Sequence, residues 1–375
     1  MRSRLFSLAA LALLTLATPL SAATTYTGDR IDGVKVVDRL EVADLPAGKT
    51  RLWFRVLDTS IGQGWYIPVV VIKGAKPGPK LLLTAGIHGD ELNGIAVIHT
   101  LAETLSPDSL SGTIVAIPGL NTPGLLHSTR GFTSDVIGTG GDNLNRLMPS
   151  VPHPDEATGS PATRYDHRIW TQLFVGNADF AVDLHTQSRG TTYPAYIFAQ
   201  TGEARKIADA LKPDVINMDP GVDGAVENML NAIGVPAVTY ELGAPETFDE
   251  PMIARTLSGL RNLMITRGML AGKAEGPGKP FVGNAIGNVK SPKGGWARLR
   301  VKLGDTVTAG QPLFTVHNPF GDTVATINAP RAGQVLSLAT DPRIEPGDWV
   351  VRLIWWDDTL PCKADGCPPG PFPAE

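Results

Sequence analysis

The stretch from Leu81 to Gly94, LLLTAGIHGDELNG, combines an apolar run with a turn of small residues and then two polar side chains of possible chemical use. His88 and Glu91 stand three positions apart, where a helical pattern begins. A short apolar run that ends in a small-residue turn is typical of a buried strand in an α/β sheet. Ligands of such sheets gather beyond the carboxyl ends of the strands. The stretch therefore predicts a strand whose exit is a candidate site.

The same alternation continues along the chain from about Trp65 to Gly243. The candidate strands are IPVVVI, LLLTAG, TIVAIPGL, FAVDLH, AYIFAQ and AVTYELG, and the candidate helices are ELNGIAVIHTLAETL and GEARKIADAL. This pattern predicts an α/β fold with a mixed, mostly parallel sheet flanked by helices. The connection from Asn121 to Arg168 is rich in Gly, Pro, Ser and Asp, which predicts a functional or disordered loop, with a helix through YDHRIWTQLF near its end.

The first 23 residues differ from the rest of the chain. Arg2 and Arg4 precede the apolar run Leu5 to Leu16, and small residues follow as far as Ala23. This order predicts a secretory signal peptide, and Pro19 interrupts the run before it reaches the length of a membrane anchor. We therefore expect a secreted or periplasmic protein whose mature form has no membrane span.

The composition changes again near the carboxyl end. The segment AGKAEGPGKP at 271–280 predicts a linker, and short β runs separated by Gly, Asp and Asn turns follow it. These runs predict a smaller, all-β, barrel-like domain. The predicted organisation is a signal peptide at 1–23, a larger α/β domain with an N-terminal β segment at 24–273, a C-terminal β domain at 281–356 and a tail at 357–375.

The net charge indicates which classes of partner to expect, and the cysteine content relates to the cellular compartment. The formal net charge is −4, and removal of Arg2 and Arg4 makes it −6, so nothing favours nucleic acid or an acidic membrane surface. A small molecule or a peptide is the expected partner. The two cysteines, Cys362 and Cys367, lie close together in the tail, which in an exported protein predicts a small disulfide loop.

His88 and Glu91 could bind a metal ion. A neutral imidazole and a carboxylate suit Zn²⁺, and a third ligand would complete a catalytic site with one position open. The same pair also fits a solvated helix start with a capping acid. His185 is the candidate third ligand because it ends the strand pattern FAVDLH, although a hydrogen-bonded core histidine would look the same.

Three further segments contain polar residues that could take part in catalysis or in ligand binding. Glu241 directly follows the apolar run AVTY, and a buried carboxylate is costly unless a metal, a cation or proton transfer uses it, so it is either a general base or an exposed strand-end acid. Arg130 and the pair Asn145 and Arg146 offer donors that match a carboxylate or an oxyanion. Either arginine could equally be a surface residue.

Taken in order, these segments resemble a known family. IPVVVIKGAKPGPKLLLTAGIHGDELNG is followed by VAIPGLNTPGLL, Arg130, DNLNR, DLHT and TYELG. This ordered set is similar to the succinylglutamate desuccinylase and aspartoacylase family, a branch of the zinc carboxypeptidase superfamily. The resemblance covers Ile67 to Gly243, and the β segment after Phe281 resembles the C-terminal domain of the family. It implies a zinc carboxypeptidase-like fold and a zinc hydrolase catalytic domain at 24–273.

The resemblance also implies a reaction and a role for each candidate residue. The reaction is zinc-dependent hydrolysis of the amide bond of an N-acyl amino acid. A metallocarboxypeptidase acting on short or cell-wall peptides and a zinc- or ligand-binding protein without catalysis stay as alternatives. The implied roles are one Zn²⁺ per chain on His88, Glu91 and His185, a general base and later acid in Glu241, an oxyanion donor in Arg130, and a substrate carboxylate site in Asn145 and Arg146.

The sequence departs from the family pattern at two places. Asn143 stands where family members have an aspartate that orients the first zinc histidine, so zinc affinity is expected to be lower unless Asp142 takes over. Relatives also have a tyrosine shortly before the base, and the corresponding segment here has none. Tyr193, Tyr196 and Tyr240 are the candidates to replace it.

Overall fold

The computed structural model describes residues 23–132, 142–148 and 159–368, so the predicted signal peptide lies outside the described residues except for Ala23. The helices are α1 (Asn93–Thr104), α2 (Thr122–His127), α3 (Pro161–Ile169), α4 (Gly202–Leu211), α5 (Val226–Ala232) and α6 (Glu250–Thr266). The first twelve strands are β1 (Thr25–Ile31), β2 (Val34–Arg39), β3 (Gly48–Asp58), β4 (Gly64–Lys73), β5 (Lys76–Ala85), β6 (Ser111–Ile117), β7 (Phe180–His185), β8 (Thr191–Thr192), β9 (Ala195–Ala199), β10 (Val215–Met218), β11 (Ala237–Leu242) and β12 (Phe281–Gly283). The others are β13 (Ala285–Lys290), β14 (Gly295–Leu299), β15 (Thr306–Val307), β16 (Pro312–His317), β17 (Thr323–Asn328), β18 (Gly333–Ala339), β19 (Arg343–Ile344) and β20 (Trp349–Trp355).

Eleven strands form one sheet in the order β1-β2-β3-β4-β6-β5-β7-β11-β9-β10-β12. The centre is parallel, because β5 pairs with β6 and β7, and β7 pairs with β11. Antiparallel neighbours follow on each side, at β4 with β6 and at β9 with β11. Strands β7 and β11 are buried along their whole length, as expected for apolar runs covered on both faces. The sheet is mixed and mostly parallel, which confirms the predicted fold class.

Helices cover both faces of this sheet. On one face α1, α4 and α6 pack into a cluster that contains Ile98 and Leu260. On the other face α3 and α5 pack into a second cluster that contains Tyr165 and Leu230. These helices bury apolar residues against the sheet, so they supply the two layers that a parallel sheet requires.

The chain from Ala285 onward forms two smaller antiparallel sheets. One has the order β13-β20-β18-β15, and the other has the order β17-β16-β14-β19. Both contribute to a shared apolar cluster that includes Phe314 and Val351. The short strand β8 leaves the main unit and pairs with β18, and through this pairing the smaller sheets are attached to the loop that follows β7.

Two further observations concern the tail and the membrane. Cys362 and Cys367 form a disulfide, as the sequence predicted, and the backbone N–H of Cys367 donates to the carbonyl of Gln200, which fixes the loop against the main unit. Among residues 23–132, 142–148 and 159–368, no helix is both long and apolar enough to span a bilayer.

Candidate active site

His88 and Glu91 lie in the turn between β5 and α1. The helix begins at Asn93, so the two side chains precede the helix, whereas the sequence pattern placed them at its start. Gly94 permits close packing here, because a Cβ at that position would lie 2.6 Å from the Cβ of Leu184 on β7. Contact between the start of α1 and the end of β7 brings this turn against His185.

His88, Glu91 and His185 converge on one point. One ligand atom of each residue lies within 4.8 Å of the other two, and all three side chains are buried. Nδ1 of His88 lies 2.8 Å from Oε1 of Glu91, and Nδ1 of His185 lies 2.8 Å from Oε2 of the same carboxylate. The structure therefore brings together the three residues that the sequence singled out as metal ligands.

The opposite nitrogen of each imidazole is fixed by another side chain. Nε2 of His88 lies 3.0 Å from Oδ1 of Asn143, and Nε2 of His185 lies 2.8 Å from Oδ2 of Asp183. Oδ1 of Asn143 also accepts the backbone N–H of Asn145, which identifies it as the oxygen of the amide. Both acceptors orient an imidazole so that its Nδ1 faces Glu91, as partners of metal-binding histidines do.

This arrangement fits a cation. A neutral imidazole carries one N–H, and in both rings Nε2 needs it to donate to an oxygen that can only accept. The Nδ1 lone pairs of His88 and His185 then face the oxygens of Glu91, which is unfavourable unless a positive charge lies between them. Two imidazole nitrogens and a carboxylate oxygen are a donor set that suits a single divalent ion such as zinc.

Glu241 lies beside these ligands at the end of β11. Its Cα is paired with that of His185 across the parallel strands β11 and β7, so the two side chains lie on the same face of the sheet. The side chain of Glu241 is buried, and its Oε2 has no hydrogen-bond partner among the described residues. Burial, and then the negative charge of Glu91, raise its pKa well above the usual value. The pKa of a general base is best placed near the working pH, and this shift goes in that direction.

Arg130 reaches the same point from the loop after α2. Its Nη1 donates to Oε1 of Glu91 at 3.1 Å and lies 3.2 Å from Nδ1 of His88. It also donates to Oγ of Ser188, which in turn donates to Oε1 of Glu91 at 2.8 Å. The side chain of Arg130 is 43% exposed, so the guanidinium lies at the solvent side of the ligands, where it can meet an incoming substrate.

Asn145 and Arg146 lie in a short 3₁₀ helix (Leu144–Arg146) and line the same pocket. Oδ1 of Asn145 accepts the backbone N–H of Val226, so the amide of Asn145 also holds the start of α5. The NH₂ group of that amide is the part left to donate to a ligand. The two residues therefore line the same pocket as the candidate metal ligands, and their role as a carboxylate site stays a prediction.

The structure decides between several alternatives left by the sequence. Asn143, and not Asp142, contacts His88, because the carboxylate of Asp142 faces Ser160 instead. Tyr193 lines the pocket, whereas Tyr196 and Tyr240 do not. Of the three tyrosines, Tyr193 is therefore the one placed to contact a substrate.

Sequence reasoning missed several residues of this site. Asp183 stands two positions before His185, and the period of two in a strand places both on one face, so this signal was present. Ser188 and Glu227 gave no such signal. Arg352 was also missed, because it comes from β20 and reaches the pocket from the C-terminal sheets, where it donates to the hydroxyl of Tyr193.

The contact between Asn143 and His88 leads to a prediction about metal affinity. We expect Asn143→Asp to lower the zinc dissociation constant about 10-fold, because a carboxylate makes the imidazole a stronger ligand than a neutral amide does. Aspartate has the same shape and can still accept the N–H of Asn145. Competition with a chromophoric chelator measures the change, and Asn143→Ala should shift the constant in the opposite direction. Equal affinities in the three proteins would contradict this role of position 143.

Comparisons with known proteins agree with this architecture. The family model of the succinylglutamate desuccinylase/aspartoacylase catalytic domain matches residues 77–267. The chain is 27% identical over 311 residues to the N-alpha-acetyl-L-2,4-diaminobutyric acid deacetylase of Halomonas elongata, a match that covers 79% of this chain and 87% of the relative. The region matched by the family model includes His88, Glu91, His185 and Glu241.

Solved structures show the same fold. The succinylglutamate desuccinylase/aspartoacylase of Rhodobacter sphaeroides superposes with a TM-score of 0.72 at 21% identity and covers 84% of this chain and 98% of its own. The product-bound ectoine utilization protein of Ruegeria pomeroyi gives a TM-score of 0.70 at 24% identity, with 84% and 98% covered. With its catalytic-domain match and its mixed sheet, the chain belongs to the succinylglutamate desuccinylase/aspartoacylase family.

Proposed function

We propose that the protein is an exported, zinc-dependent amidohydrolase that removes the acyl group from an N-acyl amino acid. The observation that carries the proposal is the convergence of three buried ligands, His88, Glu91 and His185, with the carboxylate of Glu241 on the same face of the sheet. Two imidazoles, a carboxylate and an adjacent unpaired acid are the groups that metal-assisted amide hydrolysis uses.

The pocket supports a small, carboxylate-bearing substrate. Its volume is about 300 Å³, at the lower end of the range for ligand pockets, which suits a short amide better than a long peptide. Arg146 and the NH₂ group of Asn145 are donors that can hold a carboxylate in one orientation. The Halomonas elongata relative is named as a deacetylase of an N-acetylated amino acid, which supports the same class of substrate here.

The pocket residues can take different roles in amide hydrolysis. Bound zinc would supply Lewis acidity, which acidifies water and polarises an amide carbonyl. Glu241 can accept a proton from water and return it to the departing amine, since its Oε2 is free. Arg130 can meet the negative charge that develops on the carbonyl oxygen. Asn143 and Asp183 keep the two imidazoles in the tautomer that leaves Nδ1 available.

Two features support the exported location. Residues 1–23 have the charge, apolar run and small-residue end of a signal peptide. The disulfide between Cys362 and Cys367 is of the kind that persists in oxidising compartments. We propose the periplasm or the extracellular space as the site of action.

Metal removal tests the proposed function. We expect protein purified from residue 24 onward to contain about one zinc per chain and to release the amine from some members of a panel of N-acyl amino acids. Dialysis against a chelator should abolish hydrolysis, and added Zn²⁺ should restore it, because the proton transfer to Glu241 depends on an acidified water. Short peptides in the same panel separate a deacylase from a carboxypeptidase. Hydrolysis that persists in metal-free protein would reject zinc dependence.

A further inference from the structure

Tyr193 lines the pocket with a ring that is firmly packed. Its side chain is 4% exposed and belongs to an apolar cluster with Tyr196 and with Leu336 and Ile354 of the C-terminal sheets. The ring centroids of Tyr193 and Tyr196 lie 5.1 Å apart. Packing therefore fixes the ring of Tyr193, and the hydroxyl is the polar group that this residue can offer to a ligand.

The hydroxyl of Tyr193 accepts a hydrogen bond from a residue of the C-terminal sheets. Nη1 of Arg352 on β20 donates to it at 2.5 Å, and Arg352 lines the same pocket. A phenolic oxygen that accepts from a guanidinium keeps its own O–H to donate. Within the described part of the chain, no acceptor lies within hydrogen-bond distance of this O–H. The proton is therefore available to a ligand in the pocket.

Two contacts within the C-terminal sheets hold Arg352 in place. Its Nε donates to Oδ1 of Asn288 on β13 at 2.8 Å, and its guanidinium carbon lies 4.7 Å from the centroid of the Trp349 ring. Because a guanidinium is planar, contacts at Nε and at one face also fix the direction of its other N–H bonds. Arg352 can thus set the orientation of the Tyr193 hydroxyl.

The backbone next to Tyr193 is held by the same sheets. Strand β8 ends directly before Tyr193 and pairs with β18. Oγ of Ser337 on β18 donates to the carbonyl of Thr192 at 2.9 Å. The C-terminal sheets therefore hold Tyr193 both at its backbone and at its hydroxyl.

The hydroxyl of Tyr193 keeps its proton at neutral pH. Burial, and then the negative charge of Glu241, raise the pKa of Tyr193. The effect of Glu241 also indicates that the two side chains are within electrostatic reach of each other. A protonated donor thus lies close to the general base, in the part of the pocket where a substrate would be cleaved.

We propose that Arg352 is a positioning residue, which holds the Tyr193 hydroxyl so that its O–H donates to an oxygen of the bound substrate. This inference rests on the proposed function, since it concerns substrate binding in the same pocket. Arg352 acts through Tyr193 and makes no hydrogen bond to the substrate itself. The C-terminal sheets thereby contribute to the site, although Glu241 and the candidate metal ligands all come from the larger sheet and its loops.

A double-mutant cycle tests whether Arg352 acts through Tyr193. The assay uses zinc-loaded enzyme and the best-hydrolysed member of the N-acyl amino acid panel. We expect Tyr193→Phe to lower kcat/KM about 10-fold, mainly through KM, because one hydrogen bond to the substrate is lost. Arg352→Met should lower it about fivefold by itself and less than about twofold in the Tyr193→Phe background. Arg352→Lys keeps a donor and should recover part of the loss.

Controls separate the positioning role from misfolding and from direct contact with the substrate. Arg298→Met is the matched control, because Arg298 is exposed on β14 of the other C-terminal sheet, and it should keep kcat/KM within about twofold. Tyr193→Phe retains the ring that packs against Tyr196, so its unfolding temperature and zinc content should equal those of the wild type. Arg352→Lys replaces Arg352→Met in the cycle if the methionine variant is unstable. Effects that multiply in the double variant, a loss in kcat alone, or no effect of Tyr193→Phe would each overturn the positioning role.

A binding measurement distinguishes failure of this inference from failure of the proposed function. Members of the same panel are titrated calorimetrically into Glu241→Gln, which should leave them intact, and into the same variant with Tyr193→Phe, with Arg352→Met and with both. Losses of affinity that do not add support the role of Arg352 even if the wild type hydrolyses none of the panel. Additive losses, or no binding by any member, would overturn that role, whereas metal-dependent hydrolysis of the panel would leave the proposed function in place.

Discussion

Replacement of Glu241 with glutamine is expected to lower kcat for amide hydrolysis about 1000-fold while zinc content stays near one per chain. General acid and base catalysis contributes a factor of this order, and glutamine cannot accept a proton from water. Glu241 lies beside the ligands and does not belong to them, since His88, Glu91 and His185 form the cluster without it. The loss should therefore appear in turnover and leave the metal in place.

Parallel assays of metal content and steady-state rate measure this effect. Glu250→Gln is the matched control, because Glu250 is an exposed residue at the start of α6 and the chemical change is the same. That variant should keep the rate of the wild type within about twofold. Unchanged turnover in zinc-loaded Glu241→Gln would remove Glu241 from the reaction.

The sequence was sufficient to predict the central strands and to place the candidate ligand and catalytic residues near their carboxyl ends. FAVDLH ends in His185, and AVTYEL has Glu241 as its last residue but one. Mostly apolar runs of this kind are typical of strands buried on both faces. The pairing of Glu241 with His185 was not predictable in the same way. It depends on the spatial order β5-β7-β11-β9, in which neighbours in the sheet are far apart along the chain.

Pocket residues that come from distant parts of the chain were the hardest to predict from the sequence. Glu227 and Arg352 line the pocket from α5 and β20, which are separated from the ligand turn by more than a hundred residues, and no local pattern marks them.

The start of α1 was misassigned for a local reason. The helical period extends backward through Glu91, but the turn at Gly89 and Asp90 delays the helix until Asn93.

Replacement of His185 with alanine is expected to reduce zinc content to near zero and to abolish hydrolysis. Two protein ligands, His88 and Glu91, remain, and catalytic zinc sites use three. The change also leaves Asp183 and Oε2 of Glu91 without the imidazole that lies 2.8 Å from each of them. Removal of one partner from buried charged groups is destabilising, so the unfolding temperature should fall as well.

His99→Ala is the control that distinguishes loss of a ligand from loss of any histidine. His99 lies exposed on α1, outside the ligand cluster, and its removal should change neither zinc content nor rate. His185→Asn adds a second comparison, because its amide keeps a donor in place of the imidazole while it is a poor zinc ligand. If this variant folds like the wild type and still lacks zinc, the loss arises from the missing ligand and not from unfolding. Zinc bound at full occupancy in both His185 variants would place the metal elsewhere and refute the His88, Glu91 and His185 site.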